Sequence, residues 1–165
     1  IYILFDEPLF AWKPQEAIDY GIFNLEKCFN DIESADVEKI VHICCGYPDK
    51  LDAVDYPKAP LSSYQRIAKL LDDSIVDTIS IEDAHRYNDL SLLESYKKTK
   101  IILGLIKIAS SVEETIDEIR IRIEKALNHI DVNRLIAAPD CGLGHLPRNL
   151  ARKKLKTMVE AVKKY

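Results

Sequence analysis

Five short runs rich in Ile, Val and Leu punctuate the chain, at residues 2–5, 39–44, 77–81, 100–106 and 133–137. Each is nearly continuous in apolar character, the pattern of parallel strands covered on both faces. Apolar residues at helical spacing fill the gaps. A helix is predicted over 16–33, after Pro14, and others over 64–71 and 89–97. The clearest runs over 112–130, where Ser111 and Glu114 form a capping-box pattern and Ile116, Ile119, Ile123 and Leu127 make one stripe. A last helix over 147–164 is expected to turn Leu150, Leu155, Met158, Val159 and Val162 inward.

Strand and helix alternating in this way imply an α/β fold with a parallel sheet and right-handed crossovers. The sheet is either an open doubly wound one or the last five units of a (β/α)8 TIM barrel. No GxGxxG or GxxxxGK[ST] turn follows any strand, which argues against nucleotide binding. Polar residues cluster instead at the strands' C-terminal ends: Asp6 and Glu7, His42 and Cys44, Glu82 and Asp83, Asp140 and Cys141. A TIM barrel keeps its active site at that end.

The 165 residues are expected to form a single domain, with 47% hydrophobic and 30% charged residues and a net charge of -4. That balance points to neither nucleic acid nor membrane. The basic residues of the last helix, Arg152, Lys153, Lys154, Lys156, Lys163 and Lys164, read as a solvated outer face, since no aromatic platform accompanies them. No apolar run is long enough to span a bilayer and no secretory leader precedes the first strand, so a cytoplasmic location is expected. The four cysteines then read as thiols or ligands rather than a disulfide framework. The chain opens inside a strand without Met, so an upstream barrel portion is expected to lie elsewhere.

Residues two apart on a strand share a side. His42 and Cys44 therefore face one way, and Val41, Ile43 and Cys45 the other. The same parity turns Ser80 and Glu82 inward, and Cys141 follows the last strand in a turn shaped by Pro139 and Gly142. One imidazole, two thiols and a carboxylate can converge on one point. Zinc takes such ligands, and two thiolates suit it to holding a substrate thiol for attack on an electrophilic carbon. Buried packing is the competing reading, because Cys is commonly buried as a small hydrophobe. Cys28 and Cys45 are expected to pack. A Cys44–Cys45 disulfide would need a strained ring. His129 reads as a surface residue near a helix C-terminus, while His85 and His145 could reach the site or simply be structural.

The order DEP, H-x-C, SIE and PDCGL, each at a strand end, followed by a helix with KLxxMV, resembles the C-terminal catalytic barrel of the cobalamin-independent methionine synthase family. The resemblance runs over nearly the whole chain and is stronger to the short, single-barrel relatives. It implies a TIM barrel of the methionine synthase/uroporphyrinogen decarboxylase type, with this chain as its C-terminal part. It also implies zinc-dependent methyl transfer from a methylated folate to homocysteine. The family's zinc ligands fall on His42, Cys44, Glu82 and Cys141. The aspartate that holds the homocysteine amine falls on Asp6, with Glu7 and Ser80 as neighbouring substrate contacts. One departure stands out: where the family often carries Y-D-x-H-S, this chain has Lys107 and Ala109 at the aspartate and histidine positions.

Three alternatives remain beside that expectation. A related transferase would use another thiol or alkyl donor, as coenzyme M transferases do. A metal-free decarboxylase resembling uroporphyrinogen decarboxylase would favour Arg and Asp over the thiols seen here. A non-catalytic fragment, or a half that pairs with another chain or a second copy, would follow from the open edges of an incomplete barrel.

Overall fold

Parallel pairing joins all five strands in sequential order in a computed structural model, which describes every residue except 31 and 33–36. The strands are β1 (Tyr2–Asp6), β2 (Glu38–Ile43), β3 (Thr78–Ile81), β4 (Lys100–Ile106) and β5 (Leu135–Pro139). Sequential order with parallel pairing is the arrangement of a barrel wall; a doubly wound sheet would reverse its order at a switch point. Asp6 pairs with His42, His42 with Ser80, Ser80 with Ile102, and Ile102 with Ile136. These residues form one layer on the concave side.

The convex side carries the core. Val41, Ile43, Ile79, Ile81, Ile101 and Leu103 are fully buried there, in one cluster with Ile67, Ala68 and Leu71 of α4 (Ser62–Asp73). Each such Ile or Leu contributes roughly 1.5–3 kcal/mol by leaving water. This accounts for the continuous apolar runs: alternate residues face the helices, and much of the remainder lines the concave layer.

Helices depart from the sequence expectation where competing contacts act. The helix predicted over 16–33 takes in the last residue of α2 (Pro14–Glu16), a π turn (Ala17–Gly21) and α3 (Ile22–Phe29), and a separate short helix, α1 (Pro8–Trp12), precedes it; its predicted end lies outside the described residues. Pro8 and Pro14 each open a short helix, because proline is accommodated in a first turn. At Gly21 a Cβ would lie 2.8 Å from the Phe10 ring, so only glycine allows that approach. The stretch predicted as a helix over 89–97 contains a 3-10 helix, Leu90–Ser95. The helix predicted from 112 begins later, as α5 (Ile116–Ala126), with Thr115 and Glu118 forming the capping box. Glu114 does not cap, because its carboxylate accepts hydrogen bonds from Lys107 N and Lys154 Nζ.

On α6 (Arg148–Val162), Met158 is buried, whereas Val159 faces solvent. Lys154 is not on the basic outer face: it is wholly buried and donates to the Lys107 carbonyl at 3.0 Å and to Glu114. Cys28, expected to pack, is exposed on α3. Among the described residues no helix is long and apolar enough to cross a membrane.

Candidate metal centre

The strand ends bring His42, Cys44 and Cys141 together, with one ligand atom from each lying within 4.8 Å of the others. His42 is the penultimate residue of β2, Cys44 follows that strand, and Cys141 follows β5. Two contacts hold these loops. Tyr47 Oη donates to the Gly142 carbonyl at 2.9 Å, joining the β2 and β5 loops. Asp140 then accepts from the main-chain N–H groups of Asp83, Ala84 and His85 at 2.7–2.8 Å, joining the β5 and β3 loops. Gly104 makes room for this clamp, since a Cβ there would overlap the Asp140 carboxylate. The clamp fixes the neighbours of both Cys141 and Glu82, which makes Asp140 a positioning residue.

His42 has its Nδ1 2.9 Å from Ser80 Oγ. Its Nε2 is buried and has no hydrogen-bond partner among the described residues. A buried imidazole nitrogen without a partner is costly unless something else binds it. Burial alone would lower the His42 pKa, but the neighbouring Cys44 sulfur and the charges of Asp6 and Glu82 raise it. The two thiols are coupled. The hydrogen bond shared with Cys141, followed by burial, raises Cys44, whereas the same bond lowers Cys141. Cys44 is therefore the donor of the pair, and Cys141 the sulfur that ionises more readily. One imidazole nitrogen and two sulfurs, one already inclined to ionise, make a donor set that suits zinc.

Glu82 lies beside this cluster with other partners. Its Oε1 accepts from Cys45 N at 2.9 Å, and its Oε2 from the Cys45 thiol at 3.0 Å and from Lys58 Nζ at 2.8 Å. Burial would raise the Glu82 pKa, but Lys58 more than offsets this and lowers it. Cys45 therefore does more than pack against the helices, since its thiol faces the carboxylate. Strand parity fails here because β2 ends at Ile43, and Gly46, at φ 144°, turns the chain beyond it. Burial, with the nearby Glu82 charge, pushes the Cys45 thiol up to about 12.

Asp6 stands opposite His42 at the end of β1 and is exposed. Glu7 is half-buried and has its pKa raised by burial and by Asp6. Ser80, expected at the substrate, contacts His42 Nδ1. His145 lies away from the cluster, with Nε2 at the Pro48 carbonyl and its ring against Tyr47. His129 pairs with Glu94 at 2.7 Å. His85 accepts from Ala109 N at 3.2 Å and does not join the thiols. Lys58 could not be found from spacing, because it reaches Glu82 from a loop 24 residues earlier.

Residues 59–164 match the family model described as the catalytic domain of cobalamin-independent synthases. The methionine synthase of Pyrococcus abyssi is 28% identical over 98% of this chain and 42% of its own length. A methionine synthase of Saccharolobus islandicus is likewise 28% identical, over 98% of this chain and 43% of its own. The structure of a B12-independent methionine synthase from Shewanella, in complex with selenomethionine, superposes with a TM-score of 0.83 at 31% identity. That match covers 99% of this chain and 48% of the Shewanella chain. The chain thus spans less than half the length of each of these relatives.

Proposed function

This chain belongs to the family of cobalamin-independent synthase catalytic domains, and from that premise we propose that it carries the zinc site of a thiol methyltransferase. His42 Nε2, Cys44 and Cys141 would hold the ion, with Glu82 as a fourth ligand that exchanges. The carrying observation is the buried, unpartnered His42 Nε2 beside the two sulfurs. We also read residues 1–165 as one unit, the C-terminal part of a TIM-barrel catalytic domain.

Zinc in this site would supply a Lewis acid that keeps an acceptor thiol ionised near neutral pH. Ser80 fixes the His42 ring through Nδ1, so that Nε2 would be the nitrogen left to hold an ion. Lys58 and Cys45 hold the Glu82 carboxylate beside the sulfurs and would keep it partnered whether or not it served as a ligand. Asp6, at the rim of the same layer, would take the amine of homocysteine, with Glu7 next to it. The thiolate sulfur would form a bond to the methyl carbon, and the electron pair of the breaking bond would leave with the donor, a methylated folate in this reading.

Ala109 favours a second reading of the donor. It offers no proton at the position where the family often has histidine. A donor whose leaving group needs no proton, or a different thiol and alkyl pair, would meet that restriction.

Metal analysis and cobalt substitution test the proposal. One ion per chain is expected, with a sulfur-to-cobalt absorption that loses intensity in Cys44→Ser and Cys141→Ser. Homocysteine should strengthen that band by adding a sulfur. A protein that takes up no metal, or a Cys141→Ser variant with an unchanged band, would overturn the ligand assignment. A response to another thiol alone would change the substrate and keep the chemistry.

A further inference from the structure

A cavity of about 530 Å³ opens beside the metal centre, between the loops that follow β2, β3 and β4. Tyr56, Lys58, His85, Arg86, Lys107 and Ala109 are among its lining residues. Lys58 separates it from the cluster, since the same ammonium lines the cavity and holds Glu82.

The lining is short of negative charge. Its one carboxylate, Asp52, already accepts from Ser111 N at 2.7 Å. Lys58 is matched by Glu82. Among the described residues, neither Arg86 nor Lys107 has a carboxylate within ion-pair distance. Arg86 Nε is buried with no hydrogen-bond partner among the described residues, and the buried Tyr56 hydroxyl has beside it the Lys58 ammonium, itself a donor, which leaves the O–H without an acceptor. Buried donors are normally satisfied, so two of them at one cavity, beside two unpaired cations, call for an acceptor. An uncharged acceptor would satisfy the donors and leave the charge; an oxyanion answers both.

His85 reports the same field. Its pKa is lowered to about 4, first by burial and then by Lys58, with Lys107 and Lys154 adding to the effect. Its Nε2 is already taken by Ala109 N, so the imidazole offers the cavity no acceptor there. Ala109 itself ends at Cβ and leaves the volume open.

We propose that this cavity binds the oxyanionic group, carboxylate, sulfonate or phosphate, of a small-molecule substrate, clamped by Arg86 and Lys107 with the Tyr56 hydroxyl donating. The anion site stands on the cavity alone; its assignment to a substrate rests on the thiol-transfer reading, because only that reading puts the reacting sulfur on the far side of Lys58. A thiol bearing an acidic group and an alkyl donor with an acidic tail share this chemistry.

Calorimetric titration of the whole chain with glutarate, methanesulfonate and inorganic phosphate, at constant ionic strength, tests the site and separates the sources. At least one of the three should saturate with a Kd in the range of about 1 mM. Arg86→Gln and Lys107→Gln should each weaken it about tenfold, the loss of one charged hydrogen bond. Lys153→Gln, which removes an exposed cation elsewhere, should leave it unchanged. Circular dichroism guards against misfolded variants, and the single substitution at Lys107 keeps the test open should Arg86→Gln not fold. Preference for glutarate assigns a carboxylate, and preference for methanesulfonate a sulfonate. No saturation by any probe, or equal binding in both variants and the parent, would overturn the site. Cobalt absorption recorded on the same samples reports the metal centre separately: anion binding without metal uptake sinks the transferase reading and keeps the cavity, and the reverse sinks the cavity.

Discussion

Lys58 Nζ lies 2.8 Å from Glu82 Oε2, in an ion pair whose side chains are only 11% and 3% exposed. This pair holds the carboxylate beside the thiols, where Cys45 also bonds to it. Removing one member of a buried pair strands the other charge and costs about 3 kcal/mol. Lys58→Met should therefore destabilise the metal-free protein by about that amount, and Lys58→Met with Glu82→Gln should recover most of it. Urea denaturation of the two single variants and the double one measures the coupling. A double variant no more stable than Lys58→Met would mean that packing of the lysine stem, rather than its charge, does the work.

Ser80 acts on the proposed ion only through the imidazole. Its hydroxyl fixes His42 Nδ1 at 2.9 Å, and loss of such an outer partner typically weakens metal binding about 10–100-fold. Ser80→Ala should show that loss in chelator competition, with the cobalt–sulfur absorption unchanged in shape because both sulfurs remain. A changed band shape would show that Ser80 alters the ligand set itself.

The elements were legible in the sequence where one force dominates. Continuous apolar runs gave β4 at its observed bounds and the other strands to within two residues at either end, because burial against the helices decides them. The helix ends were less legible. Glu114 reads as a cap partner, yet a buried lysine from α6 takes its carboxylate. Alternation placed His42 and Ser80 on one face, since both lie within strands. It failed for Cys45, past the end of β2, where the backbone turns at Gly46. Lys58, Asp140 and Gly104 work through contacts between segments distant in sequence, which no local pattern encodes.

Acid should weaken the fold through His85. Its folded pKa is about 4, below the ordinary 6.5, because burial and then Lys58 disfavour the imidazolium. Between those values the unfolded chain binds the proton and the folded chain does not, so stability falls as pH drops from about 6.5 toward 4. Above the upper value the contribution is complete and flat. His42 has the opposite sign, since its folded pKa is raised, so the comparison must isolate one residue. His85→Gln should flatten this part of the pH profile in urea titrations. An unchanged slope would show that other groups produce it.

Alkylation should order the thiols by environment. Cys141 has its pKa lowered, first by the hydrogen bond from Cys44, whereas Cys44 and Cys45 are raised, Cys45 chiefly by burial. Thiolate fraction and access govern the rate, so in the metal-free protein Cys141 should react with iodoacetamide well before Cys44 and Cys45. Cys28 is exposed on α3 and serves as the internal reference. Cys44→Ser replaces the sulfur donor, and its hydroxyl can still donate; Cys44→Ala removes the bond and should slow Cys141 toward the Cys28 rate. Zinc should protect Cys44 and Cys141 together and leave Cys28 unprotected, read by mass spectrometry of the digested chain. Protection of Cys141 alone would remove Cys44 from the ligand set, and protection of neither would leave the two sulfurs as packed thiols.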